Sequence, residues 1–363
     1  MMITFSVFCI ALLSTTAAAL NCSQIPDSYI YAGNVFWYPN NSSNYVTIPP
    51  NFNCNYIIKA PIASSQILHG YVELWNLLKG VNDYFIVTDT LGAKQTIKPR
   101  GGSYLTYDVF PGKEISIQVV TKSVNMGSQF NFKVSYSKVN VGPTTAMKTG
   151  GIMNFVNLEN IRGSDPNFSN SLSVVGTEQI SVSLATSRYQ YPTDLLYNTF
   201  VIDGDFYNQA SVHRLLPLQG GPPLQTIGNK VTIVTFVNET STECAVVLNP
   251  KSEADGFDYL SSQASINGEI NKISFAPLDQ RQGLQVIALH NTQIIMDSLV
   301  LDTKTDFFCT AIVISGPPNN SSHLLLNLEK AQGLMPYTFN MSYFTVVGTE
   351  CLFSFTITSP NNS

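Results

Sequence analysis

Charged side chains make up only 12% of the 363 residues, and the formal net charge is −5, with no basic cluster. That balance excludes a nucleic-acid or anionic-membrane ligand read through Lys and Arg. With 44% apolar residues the chain can bury a sizeable core, which excludes disorder.

Residues 3–19 are apolar or small and end in Ala17-Ala18-Ala19. They predict a secretory signal peptide cut after Ala19, although no positive residue precedes the apolar run; a buried N-terminal helix is the alternative. Removing Cys9 with the signal leaves Cys22, Cys54, Cys244, Cys309 and Cys351. An oxidising compartment favours pairing, and five thiols leave one over. Sequons lie along the whole chain at Asn21, Asn40, Asn41, Asn167, Asn238, Asn319, Asn320, Asn340 and Asn361, the pattern of a secreted glycoprotein. Asn21 and Asn361, beside the cleavage site and at the extreme end, are poor acceptors. Neither a membrane span nor a lipid-anchor tail is expected, so the mature protein is expected to be soluble and extracellular.

Phe36-Trp37-Tyr38-Pro39 is the first aromatic run. Its rings could stack on a sugar or anchor a protein partner, or alternate rings could enter a core from an edge strand. Short strands bounded by Pro, Gly and Asn then follow, at Tyr56–Pro61, Tyr71–Trp75 and Tyr84–Thr88. Trp75, between Leu74 and Leu77, reads as core. Ile115–Val119 and Phe130–Tyr136 alternate apolar and polar residues, as half-buried antiparallel strands do. Helical periods are scarce throughout, and the chain reads as all-β.

Cys54, Tyr56, Ile58, Pro61, Asp83, Tyr84, Asp89 and Gly92 resemble the pattern of a CUB domain. Cys22, Tyr38-Pro39 and the Asn82–Asp89 strand bring the match closer to the CUB-like family of secreted nematode proteins. The resemblance covers residues 20–138. It implies an antiparallel β-sandwich of jelly-roll type and a role in infection and stress responses. Many CUB domains hold calcium with a Glu and two Asp. Asp83 matches one ligand, but Thr121-Lys122-Ser123 stands where the second Asp belongs and no Glu can be placed, so no metal is expected.

A Gly/Pro/Thr stretch at 141–145 closes the first domain, within a linker of residues 139–149. Beyond it the Phe200-Val201-Ile202 and Ile312-Val313-Ile314 strands suggest two more CUB-like sandwiches, 150–250 and 251–363; one larger sandwich is the alternative. On that division Cys22 pairs with Cys54 and Cys309 with Cys351, leaving Cys244 unpaired. The four histidines have no metal-binding spacing, and no nucleophile elbow or Cys-x-x-Cys occurs. Spacing alone cannot reveal a carboxylate pair. The chain is therefore expected to be a non-enzymatic binding protein without cofactor, with an unidentified extracellular protein or glycan as partner. By the family resemblance it is an innate-immune effector or recognition protein; a glycan-binding or structural matrix protein is the alternative.

Overall fold

Period-two alternation runs through most of the chain, and it folds accordingly. In a computed structural model, residues 20, 22–39, 41–63, 65–99, 102–123, 127–163, 169–187, 193–239, 241–276, 280–302 and 309–360 are described. They form 28 strands and two short α-helices, Thr193–Tyr197 and Lys251–Ala254. The proposed signal peptide lies outside the described residues. The chain divides into two compact units: residues 1–59, 70–109 and 113–136, and residues 60–69, 110–112 and 137–363.

The first ten strands are β1 (Val35–Tyr38), β2 (Val46–Thr47), β3 (Asn53–Lys59), β4 (Ile62–Ala63), β5 (Gln66–Leu77), β6 (Tyr84–Thr88), β7 (Lys94–Ile97), β8 (Ser103–Val109), β9 (Glu114–Val120) and β10 (Gln129–Lys138). One sheet of the first unit runs β3-β9-β6-β7. Cys54, Tyr56 and Ile58 face its core, directly across from Val119, Ile117 and Ile115, so each apolar residue meets an apolar neighbour on the same face. In the other sheet β10 lies between β1 and β5, and β8 pairs with β5. Its inner face supplies Tyr38, Val72, Leu74, Phe130 and Phe132. Tyr38 stacks on Phe132 at 4.4 Å and meets Tyr56 of the opposite sheet edge-on at 4.8 Å. Such pairs contribute about 0.5–1.5 kcal/mol each beyond area burial.

The second unit continues with β11 (Thr144–Ala146), β12 (Asn154–Asn157), β13 (Ser171–Val175), β14 (Ile180–Thr186), β15 (Thr199–Gly204), β16 (Gln209–Arg214), β17 (Leu224–Gln225), β18 (Lys230–Thr235) and β19 (Cys244–Pro250). It ends with β20 (Tyr259–Ser265), β21 (Asn271–Phe275), β22 (Arg281–Ala288), β23 (Ile294–Asp302), β24 (Thr310–Ser315), β25 (Leu324–Asn327), β26 (Tyr337–Phe339), β27 (Tyr343–Thr349) and β28 (Leu352–Thr358). The sheets β11-β13-β18-β15-β16 and β12-β19-β14-β17 enclose one core, around Ile180, Val201, Ile233 and Val246. The sheets β20-β22-β27-β24-β25 and β21-β28-β23-β26 enclose another, around Val286, Val313, Phe344 and Phe355. The two halves are wired alike strand for strand. Each opens on an edge strand parallel to its neighbour, β11 with β13 and β20 with β22. The Phe200 and Ile312 strands fall on equivalent positions, β15 and β24.

Thr144–Ala146, inside the expected linker, is strand β11. Its β-favouring threonines pair with Ser173 and Val174. Residues 60–69 and 110–112 group with the second unit, where Ile67 and Phe110 join a cluster with Phe200, Phe206 and Val234. Between the two halves of this unit, Ala185, Val247, Ala264 and Ile287 form an apolar seam. Within the same unit the Asn249 and Gln285 amides exchange hydrogen bonds of 2.8 and 2.7 Å. Both side chains are buried, so each amide satisfies the other.

Candidate binding face

The alternation that sends Phe36 and Tyr38 inward sends Trp37 out. Phe36 and Tyr38 are buried core residues, so of the Phe36-Trp37-Tyr38 run only Trp37 is left to meet a ligand. On β5 the same parity buries Val72 and Leu74 and turns Tyr71, Glu73 and Trp75 outward. Trp75 is thus half-buried on the outer face, not a core residue. Leu74 takes the inward position, and a flanking leucine does not decide which way a strand residue points.

Four strands bring these residues into one cross-strand ladder. Trp37 lies directly across from Lys133 of β10, and Trp75 across from Tyr104 of β8. The Trp37 and Trp75 rings lie 5.6 Å apart and 22° from parallel, and Tyr104 follows 5.3 Å from Trp75. The Lys133 ammonium sits 5.8 Å from the Trp37 ring and pairs with the Glu73 carboxylate. Glu73 Oε1 also accepts from the Tyr104 hydroxyl at 2.6 Å. Burial first, and then the Glu73 carboxylate, raise the pKa of Tyr104, so its hydroxyl remains a donor at neutral pH. The result is an aromatic strip with one cation and one anion held in place, and Tyr104 is 49% exposed. Rings, a donor and an acceptor fixed on a rigid sheet can stack on and hydrogen-bond a ligand at little entropic cost.

Asp83 is buried and already engaged. Its Oδ1 accepts from the Lys122 and Ser123 amides at 2.9 and 3.0 Å, and its Oδ2 from the Ser128 hydroxyl at 2.6 Å. Burial alone would raise its pKa; the Ser128 hydroxyl and the two amides outweigh that and hold it below the usual carboxylate value. The carboxylate therefore clamps the loop that carries Lys122. Among the described residues no three or more His, Cys, Asp or Glu come together to hold a metal ion.

Disulfides join Cys22 to Cys54 and Cys309 to Cys351, while Cys244 is a buried thiol. Burial pushes its pKa up to about 11, which suits an inert core residue. Of the sequon asparagines, Asn21, Asn40, Asn167 and Asn361 lie outside the described residues. Asn41, Asn238, Asn320 and Asn340 are exposed. Asn319 differs: its Nδ2, the atom a glycan would occupy, donates to the Gly150 carbonyl at 2.8 Å and to Glu253 Oε1 at 2.7 Å.

Glu73, Tyr104 and Lys133 carry no signal in the sequence reading, and Trp75 reads there as core. The parity of Tyr71-Val72-Glu73-Leu74-Trp75, with a glutamate in step with the tryptophan, was the available signal. Tyr104 and Lys133 reach the site only through sheet pairing.

Residues 17–140 match the family described as CUB-like domain, about a third of the chain. Solved structures similar to this chain include the CUB1-EGF-CUB2 domain of human MASP-1/3, at 10% identity and a TM-score of 0.21, covering 60% of this chain and 99% of that one. The triple jelly roll of an archaeal virus turret is similar at 9% identity and a TM-score of 0.24, covering 90% of each chain. Likeness at these scores carries no argument about this chain. The search of curated proteins gave no match. The fold itself, sandwiches of antiparallel sheets with few helices, is of the class expected from the sequence. Among the described residues no helix is long and apolar enough to cross a membrane.

Proposed function

We propose that this chain is a secreted, non-enzymatic glycoprotein that recognises an extracellular protein or glycan, in an innate-immune or pathogen-response role. The observation that carries the reading is the Trp37–Trp75–Tyr104 strip, fixed on one sheet by Lys133 and Glu73. The CUB-like match over residues 17–140 and the two disulfides support an extracellular setting. The expected sandwiches, 20–138, 150–250 and 251–363, belong to the same proposal, with glycans on Asn41, Asn238, Asn320 and Asn340 and none on Asn319. Glycopeptide mapping of the secreted chain checks those sites.

The function is tested by placing the full secreted chain on an array of microbial and host glycans and on washed bacterial and yeast cells. Saturable binding to a microbial surface is expected. Binding confined to host matrix glycans would instead favour the matrix reading. Induction of the transcript on pathogen challenge tests the immune assignment separately, and unchanged expression would count against it.

A further inference from the structure

The charges around the aromatic strip decide what its rings can take. Among the outward positions of β1, β10, β8 and the Tyr71–Trp75 stretch of β5, the charged side chains are Lys133, Glu73 and Asp108. Asp108 is buried. Lys133 pairs with Glu73 Oε2, and Glu73 Oε1 is taken by the Tyr104 hydroxyl. The exposed charges of this face therefore answer each other, and none is left over for a ligand. An ionic ligand would lose water over the rings and meet no free counter-charge. The net charge of −5 adds a weak repulsion for anions. An uncharged ligand bears neither penalty.

The size and shape of the strip narrow the choice further. Trp37, Trp75 and Tyr104 follow one another at 5.6 and 5.3 Å across the strands of one sheet. Tyr71 is half-buried on the same side of β5, and Thr106 is exposed across from Glu73. A stable protein interface takes roughly 20–30 residues a side, many more than this strip provides. A row of rings with hydroxyls at its margin suits a chain of sugar rings. The C–H faces of the sugars lie on the aromatic faces, and their hydroxyls reach the polar groups alongside. A β-1,4-linked chain with equatorial linkages is extended and flat, so it can follow a strip laid on a sheet. An α-1,4-linked chain coils away from it.

We propose that the strip binds an uncharged, unbranched β-1,4-linked glycan, an assignment that rests on the reading of the strip as the ligand face. Sugar rings stack on Trp37, Trp75 and Tyr104. The Thr106 hydroxyl and the open side of the Glu73–Lys133 pair take the sugar hydroxyls.

Trp37 and Trp75 are the two tryptophans of the chain, so its tryptophan fluorescence reports on the strip alone. The test titrates the full secreted chain with cellohexaose and chitohexaose, with cellohexaose oxidised at C6 so that each hydroxymethyl group is a carboxylate, and with maltohexaose, the α-1,4-linked isomer of cellohexaose. A saturable change in emission is expected with at least one of the two neutral β-1,4 hexamers, at an affinity insensitive to added salt. The oxidised hexamer and maltohexaose should bind at least about tenfold more weakly. Tyr104→Ala should weaken binding of the neutral hexamer about tenfold. No saturable response to either neutral hexamer, an oxidised hexamer bound as tightly as the neutral ones, or an affinity that falls with salt would each overturn the proposal. So would washed yeast cells that bind the chain, lose that binding with Trp75→Ala, and are displaced by neither neutral hexamer; that result keeps the strip as the ligand face and makes its partner a protein. Failure of the cells and of every glycan to bind removes the underlying reading as well. The comparison of hexamers needs no variant, so it stands even if a substitution fails to fold.

Discussion

Two polar constellations in this chain are built from similar parts and differ in what surrounds them. In the first unit, Glu73 and Lys133 pair on an outer sheet face among the half-buried Trp37 and Trp75 rings and the exposed Tyr104 ring. In the second, Asn249 and Gln285 pair inside a seam where both are buried. The Glu73 and Lys133 side chains keep part of their surface open, at 15% and 26%, so one side of the pair stays available to a ligand. The buried amides have given up water and rely chiefly on each other, with the Ser262 hydroxyl at 3.4 Å as a further donor to Gln285 Oε1, so their value lies in mutual satisfaction. On the proposed reading, burial separates the residues offered to a ligand from those that hold the fold together, although both pairs sit on strands with the same alternation.

Asn249→Leu should have the largest effect. It leaves the Gln285 Nε2 donor unpaired and its Oε1 with only the long Ser262 hydrogen bond, and should cost about 2 kcal/mol in urea unfolding of the second unit. Adding Gln285→Leu should recover much of the loss, since two apolar partners leave nothing unpaired. A double variant as unstable as the single one would show that the amides act independently.

Asp83→Ala comes close behind, at about 2 kcal/mol, because three donors lose one charged acceptor. Asp83 is held below its ordinary pKa in the folded state, so its contribution is complete above the unfolded value, near 3.9, and fades as pH falls through the folded one. Wild type and variant should therefore converge in acid; a constant gap would mean that lost packing, not the carboxylate, sets the cost. The melting temperature should also be equal in EDTA and in a few millimolar calcium, because protein donors already occupy both oxygens. A calcium-dependent rise abolished by Asp83→Asn would restore a metal site.

Glu243→Gln should have the smallest effect. Burial first, and the Glu269 carboxylate second, raise the pKa of Glu243. An acid with a raised folded pKa binds more protons in the native state, so its stabilising effect is lost as pH rises from the unfolded value through the folded one. The variant should be slightly more stable at pH 7, by under about 1 kcal/mol given partial exposure, and no more stable well below pH 4. A gain that persists in acid would exclude this cause.

The layers of the first unit were readable where alternation is strict. The inward sides of the Cys54, Phe85 and Ile115 strands follow from parity alone. Trp75 departs from the core reading because strand parity, which puts it in step with Glu73, sets its side, and the flanking leucines do not. The ladder as a whole was beyond a local reading: Tyr104 and Lys133 are brought to it by strand order, and strand order has no local signature. The β11 strand was hidden for the same reason, since its partner is a parallel strand beyond β12.

The central claim is that the outer strip binds and does not support the fold. Its most direct test measures, for Trp37→Ala and Trp75→Ala in the full secreted chain, the affinity for whichever array glycan or microbial cell the wild type binds, together with the melting temperature. The account predicts at least about tenfold weaker binding for each variant, the scale of a ring that anchors an interface. It predicts a melting temperature lowered by only a few degrees from the lost ring contacts, whereas Asn249→Leu melts earlier but binds normally below its transition. Unchanged binding by both tryptophan variants, or binding lost only together with the fold, would contradict it.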